Sequence, residues 1–261
     1  MAVLTFQKFR QLFDKKVADY HLTWEAVGFY SPDKRVYPFG TDTKVISTVF
    51  EALAAPLIKE IADETGYVVQ GSEQTVYPDF TLSPAEDKPP RIAIDIKTTY
   101  RRFQKSGAIA PFKYTLGSYT SFLRSPGATK NIKFPYKEYS DHWVIGFLYT
   151  RRPEVAAKVF YKEEEAVDLL CPYLDVEYFV QEKFRIVGLT PASGNTTNIG
   201  SFATSEINDL REGKGPFAKR GKGVCDDYWR NYAAKKADRA YKDVDEFLEW
   251  QSRIEATAAE D

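Results

Sequence analysis

In the segment Arg91-Ile92-Ala93-Ile94-Asp95-Ile96-Lys97, an extended chain places Ile92, Ile94 and Ile96 on one face and Ala93, Asp95 and Lys97 on the other. An acid and a base then project side by side. Residues 76–82 are also rich in β-branched and aromatic types, and a turn-forming stretch at 83–90 separates them from 91–99, which predicts a hairpin or meander. If the two stretches pair antiparallel, Asp79 falls opposite Asp95. Two carboxylates so close repel each other unless something positive lies between them, and a hard, oxygen-seeking cation such as Mg²⁺ is the natural occupant. Lys97 could orient a water or stabilise charge developing at phosphorus. Such a set suits hydrolysis of a phosphodiester. A surface strand of mixed charge has the same spacing, and spacing alone leaves both readings open.

The elements that must hold these residues are legible in outline. Leu4, Phe6, Phe9, Leu12, Phe13 and Val17 recur at helical spacing and predict an amphipathic first helix. Val45, Ile46, Val49, Phe50, Leu53, Leu57, Ile58 and Ile61 predict a long second helix over 43–64, with Thr41 or Asp42 as N-cap, Gly66 as terminator and a bend at Pro56. Strands are expected at 67–69, 76–82, 91–99, 142–149 and 184–187, and a charged helix from about 226 to the end. The class is mixed α/β with a central sheet, expected as one domain over 1–261.

Composition bounds the rest. The chain has 261 residues, 43% of them hydrophobic and 28% charged, enough for a sizeable core without disulfides. The longest apolar run, 143–149, is too short to span a bilayer, and no basic-then-apolar leader opens the chain, so a soluble cytoplasmic protein is expected. Cys171 and Cys225 are expected as reduced structural thiols, and His21 and His142 are too few and too far apart for a zinc site. A net charge of −1 argues mildly against a nucleic-acid protein, although bases can line a cleft while acids lie elsewhere.

Pro78-Asp79 followed by Asp95-Ile96-Lys97 resembles the PD-(D/E)XK nuclease signature. Its surroundings, Tyr77-Pro78-Asp79-Phe80-Thr81-Leu82 and Ile92-Ala93-Ile94-Asp95-Ile96-Lys97-Thr98-Thr99-Tyr100, are similar to the EcoRV family of type II restriction endonucleases. So, in order, are Gly40-Thr41-Asp42-Thr43-Lys44-Val45, Tyr119-Thr120-Ser121-Phe122, Ser193-Gly194-Asn195-Thr196-Thr197-Asn198-Ile199-Gly200-Ser201 and Asp227-Tyr228-Trp229-Arg230-Asn231-Tyr232. The similarity spans roughly residues 37–232. It implies a restriction-endonuclease-like mixed central β-sheet flanked by helices, with DNA-recognition loops. It also implies Mg²⁺-dependent cleavage of double-stranded DNA at a short palindrome, GATATC or a related site, cut at its centre to blunt ends with 5′-phosphates. A homodimer and a cognate DNA methyltransferase are the implied partners. The family's metal-binding aspartates fall on Asp79 and Asp95, its active-site lysine on Lys97 and its helix-borne auxiliary glutamate, also a metal site, on Glu51. Without the resemblance Glu51 reads as an ordinary solvated helix residue.

Residues 190–201 are polar, small and turn-rich, hence a loop. Asn can bond adenine N6 and N7 together, and a Thr methyl can touch that of thymine. The resemblance makes Asn195 and Thr196 base readers and Ser193 and Gly194 close-approach positions, with Ala192 standing where the family has glycine. It places Gln74 and Thr75 in a minor-groove loop, and Lys44, Thr115, Thr120, Ser121 and Lys130 near phosphates. Dimer contacts are implied around 24–36 and 152–173. The Gly- and Lys-rich stretch 211–223 could cradle phosphates or be a solvated loop; its glycine and lysine spacing is not that of an ATP-binding loop. The competing functions are a repair or junction-resolving nuclease of the same superfamily and a non-catalytic DNA-binding protein.

Overall fold

The Thr5 hydroxyl accepts the Lys8 amide proton and starts α1 (Phe6–Asp19), whose Phe6, Phe9 and Phe13 turn inward. In this computed structural model residues 3–73, 75–117, 119–152, 160–192, 198–233 and 235–260 are described. After β1 (Gly28–Tyr30) and β2 (Arg35–Pro38), the Asp42 carboxylate caps the Lys44 and Val45 amides and opens α2 (Thr43–Thr65). Gly66, at φ 74°, closes that helix in the left-handed region that glycine enters without steric cost. Pro56 lies inside α2, which continues as one helix on either side of it.

A five-stranded sheet in the order β3-β4-β5-β6-β8 forms the centre, built from β3 (Tyr67–Gly71), β4 (Phe80–Pro84), β5 (Arg91–Tyr100), β6 (Tyr139–Arg151) and β8 (Tyr173–Glu182). Only β5 and β6 run parallel, so the sheet is mixed. Between and after these strands lie α3 (Tyr119–Arg124), β7 (Tyr161–Lys162), α4 (Lys183–Ile186), β9 (Val187–Pro191), β10 (Ile199–Ser201), α5 (Ile207–Glu212), α6 (Lys222–Asn231) and α7 (Val244–Glu260).

Each face of the sheet carries its own core. Ile92, Ile94 and Ile96 of β5, with Trp143, Ile145, Phe147 and Tyr149 of β6, pack under α1 and α2. On the opposite face Ala93, Val144, Leu148 and Phe179 meet Phe122, Leu210, Tyr228, Trp229 and Phe247 from α3, α5, α6 and α7. The period-2 alternation of β5 therefore serves two cores, as a central strand requires. Gly146 on β6 pairs with Phe179 on β8, and a Cβ there would stand 2.1 Å from the Phe179 ring, so only glycine fits.

Several elements differ from the sequence expectation. Residues 76–79 are not strand: Pro78 has no amide proton to give, and Tyr77 instead donates to Asn131 O and accepts from the Lys133 amide. Residues 184–187 hold the short α4 and the first residue of β9, whereas the strand that completes the central sheet there is β8, one segment earlier. Its inward Tyr173, Val176, Tyr178 and Val180 show a period that sequence reading could have used. The expected C-terminal helix is two helices, α6 and α7, separated by residues 232–243. A small sheet β1-β2-β7, unanticipated, joins the 24–36 and 152–173 regions.

Candidate active site

β4 and β5 pair as Phe80↔Ile94, Thr81↔Ala93 and Leu82↔Ile92, and continuing this register by one residue sets Asp79 against Asp95. Beyond that point the chain before β4 leaves the sheet, so the edge of β5 is open from Asp95 onward. Asp79 is held from both sides. Its carbonyl accepts the Ser72 amide at 3.1 Å, and its Oδ2 accepts the Ile96 amide at 2.6 Å, where a β4 backbone carbonyl would otherwise stand. The second bond orients the carboxylate and satisfies a strand amide at once.

Asp95 and Lys97 project from the same face of β5 as Ala93. Lys97 Nζ lies 2.8 Å from Asp95 Oδ1, 3.9 Å from Asp79 Oδ2 and 3.1 Å from the Ile96 carbonyl. Burial works against the ammonium charge, but Asp95 and Asp79 outweigh it and raise the Lys97 pKa. The Asp79 carboxyl is pushed up to about 7, first by burial and then by the Asp95 charge, against the pull of Lys97 and the Ile96 amide. Asp95 is 2% exposed, and its Oδ2 is buried with no hydrogen-bond partner. An orphaned anionic oxygen beside a second carboxylate that resists ionising is a place of unmet demand for positive charge. The donor set is all oxygen, so it fits a hard divalent cation held by Asp79 and Asp95.

Asp79, Asp95 and Lys97 line a cavity of about 280 Å³ together with Thr75, Tyr77, Gly117, Phe122, Asn131 and Asn198. Glu51 on α2 lines an adjoining cavity of about 360 Å³ that Asp79 and Thr75 also border. Burial raises the Glu51 pKa, while Lys97 opposes and Asp95 adds to the shift, so the glutamate lies within the electrostatic reach of the pair. Among the described residues no group of three or more His, Cys, Asp or Glu side chains stands close enough to hold a metal. Glu51 thus stands beside the two aspartates rather than completing a cluster with them.

Of the remaining predicted positions among the described residues, Thr75 lines this cavity. Thr75 is exposed with φ 70°, at its rim. Lys44 in the first turn of α2, Thr115, Ser121 and Lys130 are all exposed. Thr120 is 4% exposed and its hydroxyl lies inside the protein, because successive residues of α3 point in different directions and Ser121 takes the outer one. Ala192 is buried, and its amide donates to Asn198 O at 3.0 Å, so it closes the base of the loop and that amide is already engaged. Ser193, Gly194, Asn195, Thr196 and Gln74 lie outside the described residues. Asn131 and Asn198 line the cavity without having been singled out; Asn131 sits at φ 59°, a backbone state sequence does not announce.

In the stretch 211–223 many of the groups that could meet a phosphate are engaged within the protein. Its Gly213, Lys214, Gly215, Ala218, Arg220 and Gly221 amides donate to backbone carbonyls, Lys214 pairs with Asp209 and Glu212, and Phe217 is fully buried. Both cysteines are buried and free. Among the described residues no helix is long and apolar enough to cross a membrane.

Two carboxylates and a lysine at the open edge of a central strand, in a mixed sheet flanked by helices, are chemically suited to metal-assisted hydrolysis of a phosphodiester. The chain matches the family described as restriction endonuclease EcoRV across residues 20–252. It is 39% identical over 236 residues to the type II restriction enzyme EcoRV of Escherichia coli, which covers 89% of this chain and 93% of that protein. Among solved structures it is similar to the restriction endonuclease BglI bound to its DNA recognition sequence, at 12% identity and a TM-score of 0.23, over 59% of this chain and 61% of that one. The chain belongs to the EcoRV family of restriction endonucleases, on the strength of the first two comparisons.

Proposed function

We propose that this restriction endonuclease is Mg²⁺-dependent and cuts both strands of DNA at a short palindrome, GATATC or a related site, as a homodimer leaving blunt ends with 5′-phosphates. The observation that carries the catalytic part is the buried, partnerless Asp95 Oδ2 beside Asp79, with Lys97 within ion-pairing distance of both.

When bound, Mg²⁺ supplies Lewis-acid polarisation of the scissile phosphate and a more acidic water. The residues do the rest. Asp79, fixed by the Ile96 amide, and Asp95 would hold the cation, and Glu51 would add negative charge on the α2 side. Lys97, kept protonated by the two aspartates, donates a charge-assisted hydrogen bond to a non-bridging oxygen or to the attacking water as negative charge builds at phosphorus.

Sequence reading is assigned to Asn195 and Thr196. In support, Ala192 and Asn198 flank the stretch that bears them, and Asn198 lines the catalytic cavity. Lys44, Thr115, Ser121 and Lys130 are the assigned phosphate contacts, with Gln74 and Thr75 on the minor-groove side. One chain carries one such site, so a double-strand cut needs two copies related by a two-fold axis. Phe29 and Tyr37, cross-strand partners on one face of the β1-β2-β7 sheet, and Phe160 beside Tyr37 are all exposed and offer an apolar patch for the second copy. A methyltransferase of the same specificity would protect host DNA. Incubating plasmid DNA with the protein and Mg²⁺ tests the reading: defined fragments support it, nicking that depends on DNA structure points to a repair or junction enzyme, and no cleavage points to a binding protein.

A further inference from the structure

Behind the catalytic cavity lies a second cation. Lys183, the first residue of α4, is 1% exposed, and its Nζ stands 3.5 Å from Tyr77 Oη and 4.5 Å from the centre of the Tyr77 ring. Tyr77 Oη in turn shares a 2.7 Å hydrogen bond with His142 Nδ1 on β6, and the two rings stack at 5.9 Å. His142 is itself sandwiched against Tyr136, with ring centres 4.6 Å apart and planes 11° from parallel. The other side of Tyr77 forms part of the cavity wall, two residues before Asp79.

A buried ammonium is costly, and burial pulls the Lys183 pKa down to about 8, partly offset by Asp95 and Asp79. An apolar side chain of similar length would fill the same space without that cost. The geometry turns that buried ammonium toward the Tyr77 ring and hydroxyl, two residues before Asp79.

We propose that Lys183 is a positioning residue: its ammonium grips the Tyr77 ring and hydroxyl against His142 and thereby fixes the aim of Asp79. This rests on the nuclease reading of the Asp79 and Asp95 site. Lys183 touches no substrate; it acts through Tyr77, over which the chain is pinned on both sides by Asn131 and Lys133.

The test is a double-mutant cycle with Lys183→Met and Tyr77→Phe in the full-length protein, with Asp95→Ala as a control. Lys183→Met should keep or raise the melting temperature, lower kcat by about tenfold or more and leave the KM for DNA within about twofold, since a small misplacement of a reacting group costs rate and not binding. Tyr77→Phe should lose less, and the double variant should cut no more slowly than Lys183→Met, because both changes act on one linkage. A second readout needs neither DNA nor metal. The chain has only two histidines, so their ring-proton NMR signals are readily told apart, and Lys183→Met should shift those of His142 while leaving His21 in place. Wild-type kcat in Lys183→Met, independent multiplying effects in the cycle, unmoved His142 signals, or a collapse in melting temperature that accounts for the lost activity would each overturn the role. If Asp95→Ala also cut at the wild-type rate, the nuclease reading of the site would fail with it; if only Lys183→Met did, that reading would stand.

Discussion

The Asp79 carboxylate receives the Ile96 backbone amide at 2.6 Å, so a side chain completes the hydrogen bonding of β5 at the point where β4 has left it. One bond thus joins the integrity of the central strand to the aim of a proposed metal ligand. The consequences for single substitutions are opposite at the two aspartates.

Asp95→Asn removes a buried negative charge but keeps the shape, and the orphaned Oδ2 becomes an amide in the same place. Its melting temperature without metal should be unchanged or raised by a few degrees, while cleavage falls at least about a hundredfold. Asp79→Ala should lose cleavage equally but also lower the melting temperature, because the Ile96 amide loses its acceptor. Lys97→Ala should be inactive and Glu51→Ala less affected. Scanning calorimetry beside a plasmid assay checks all four, and full activity in Asp95→Asn would move the site elsewhere.

Mg²⁺ should support cleavage, and Ca²⁺ should support specific DNA binding without turnover, since both take oxygen ligands and differ in size and geometric demand. The Asp79 carboxyl, pushed up to about 7 in the metal-free protein, holds its proton until a cation displaces it. Cation affinity should accordingly rise with pH up to about neutrality and then level off, with a proton released on binding below that point. Calorimetric titration in buffers of different ionisation heat measures that proton. Cleavage that survives excess EDTA contradicts the metal requirement.

Burial holds the His142 pKa well below the ordinary imidazole value, helped by the charges of Lys222 and Lys183. A base whose folded pKa is depressed contributes stability above its unfolded pKa, near 6.5, and loses it as pH falls, because the unfolded chain takes up a proton that the folded one refuses. His142 therefore pulls the melting temperature down between about pH 7 and pH 5, while Asp79, its carboxyl raised to about 7, pushes it up over the same window, so His142→Phe should lose less melting temperature on acidification than the wild type. An unchanged slope assigns the acid sensitivity to other groups.

Reading and holding should separate. On the proposed assignment Asn195→Ala would remove a bidentate pair to adenine worth about 1 to 3 kcal/mol of discrimination, so specific cleavage should collapse while salt-dependent binding to random DNA persists. Lys44→Ala or Lys130→Ala should weaken binding to all sequences and reduce the salt slope by about one for each phosphate that is no longer neutralised. A lysine variant that changed the preferred sequence would reverse these assignments.

Phe29→Lys with Tyr37→Lys places charge on the exposed apolar patch of β1 and β2. Sedimentation should show the wild type as a dimer and the variant as a monomer that nicks poorly and makes no double-strand breaks. A wild-type monomer that cuts both strands with rates first order in protein would exclude the dimer.

What the sequence alone determined rests on short-range periodicity. The alternation through 91–97 is a property of an extended chain, so the two faces of β5, and the pairing register with β4, could be read without coordinates and agree with the observed Phe80↔Ile94 pairing. Helical spacing located α1 and α2 for the same reason, with Gly66 as the end of α2 and Asp42, one of two candidates, as its N-cap. The order of matched segments marked the family. Local pattern could not say that residues 76–79 would leave the sheet, because that depends on Asn131 and Lys133 arriving from fifty residues away to take the hydrogen bonds of Tyr77. Nor could it show that the Gly213, Lys214, Gly215, Ala218, Arg220 and Gly221 amides of the basic stretch 211–223 donate to backbone carbonyls, whereas β8 carries an apolar period that was there to be read. The cluster of Lys183, Tyr77 and His142 is assembled from three distant parts of the chain, and each residue alone reads as ordinary. Periodicity fixes which way a side chain points, but what it points at is decided by chain segments far off in sequence, and only their packing sets the charge, burial and reach on which the proposed chemistry depends.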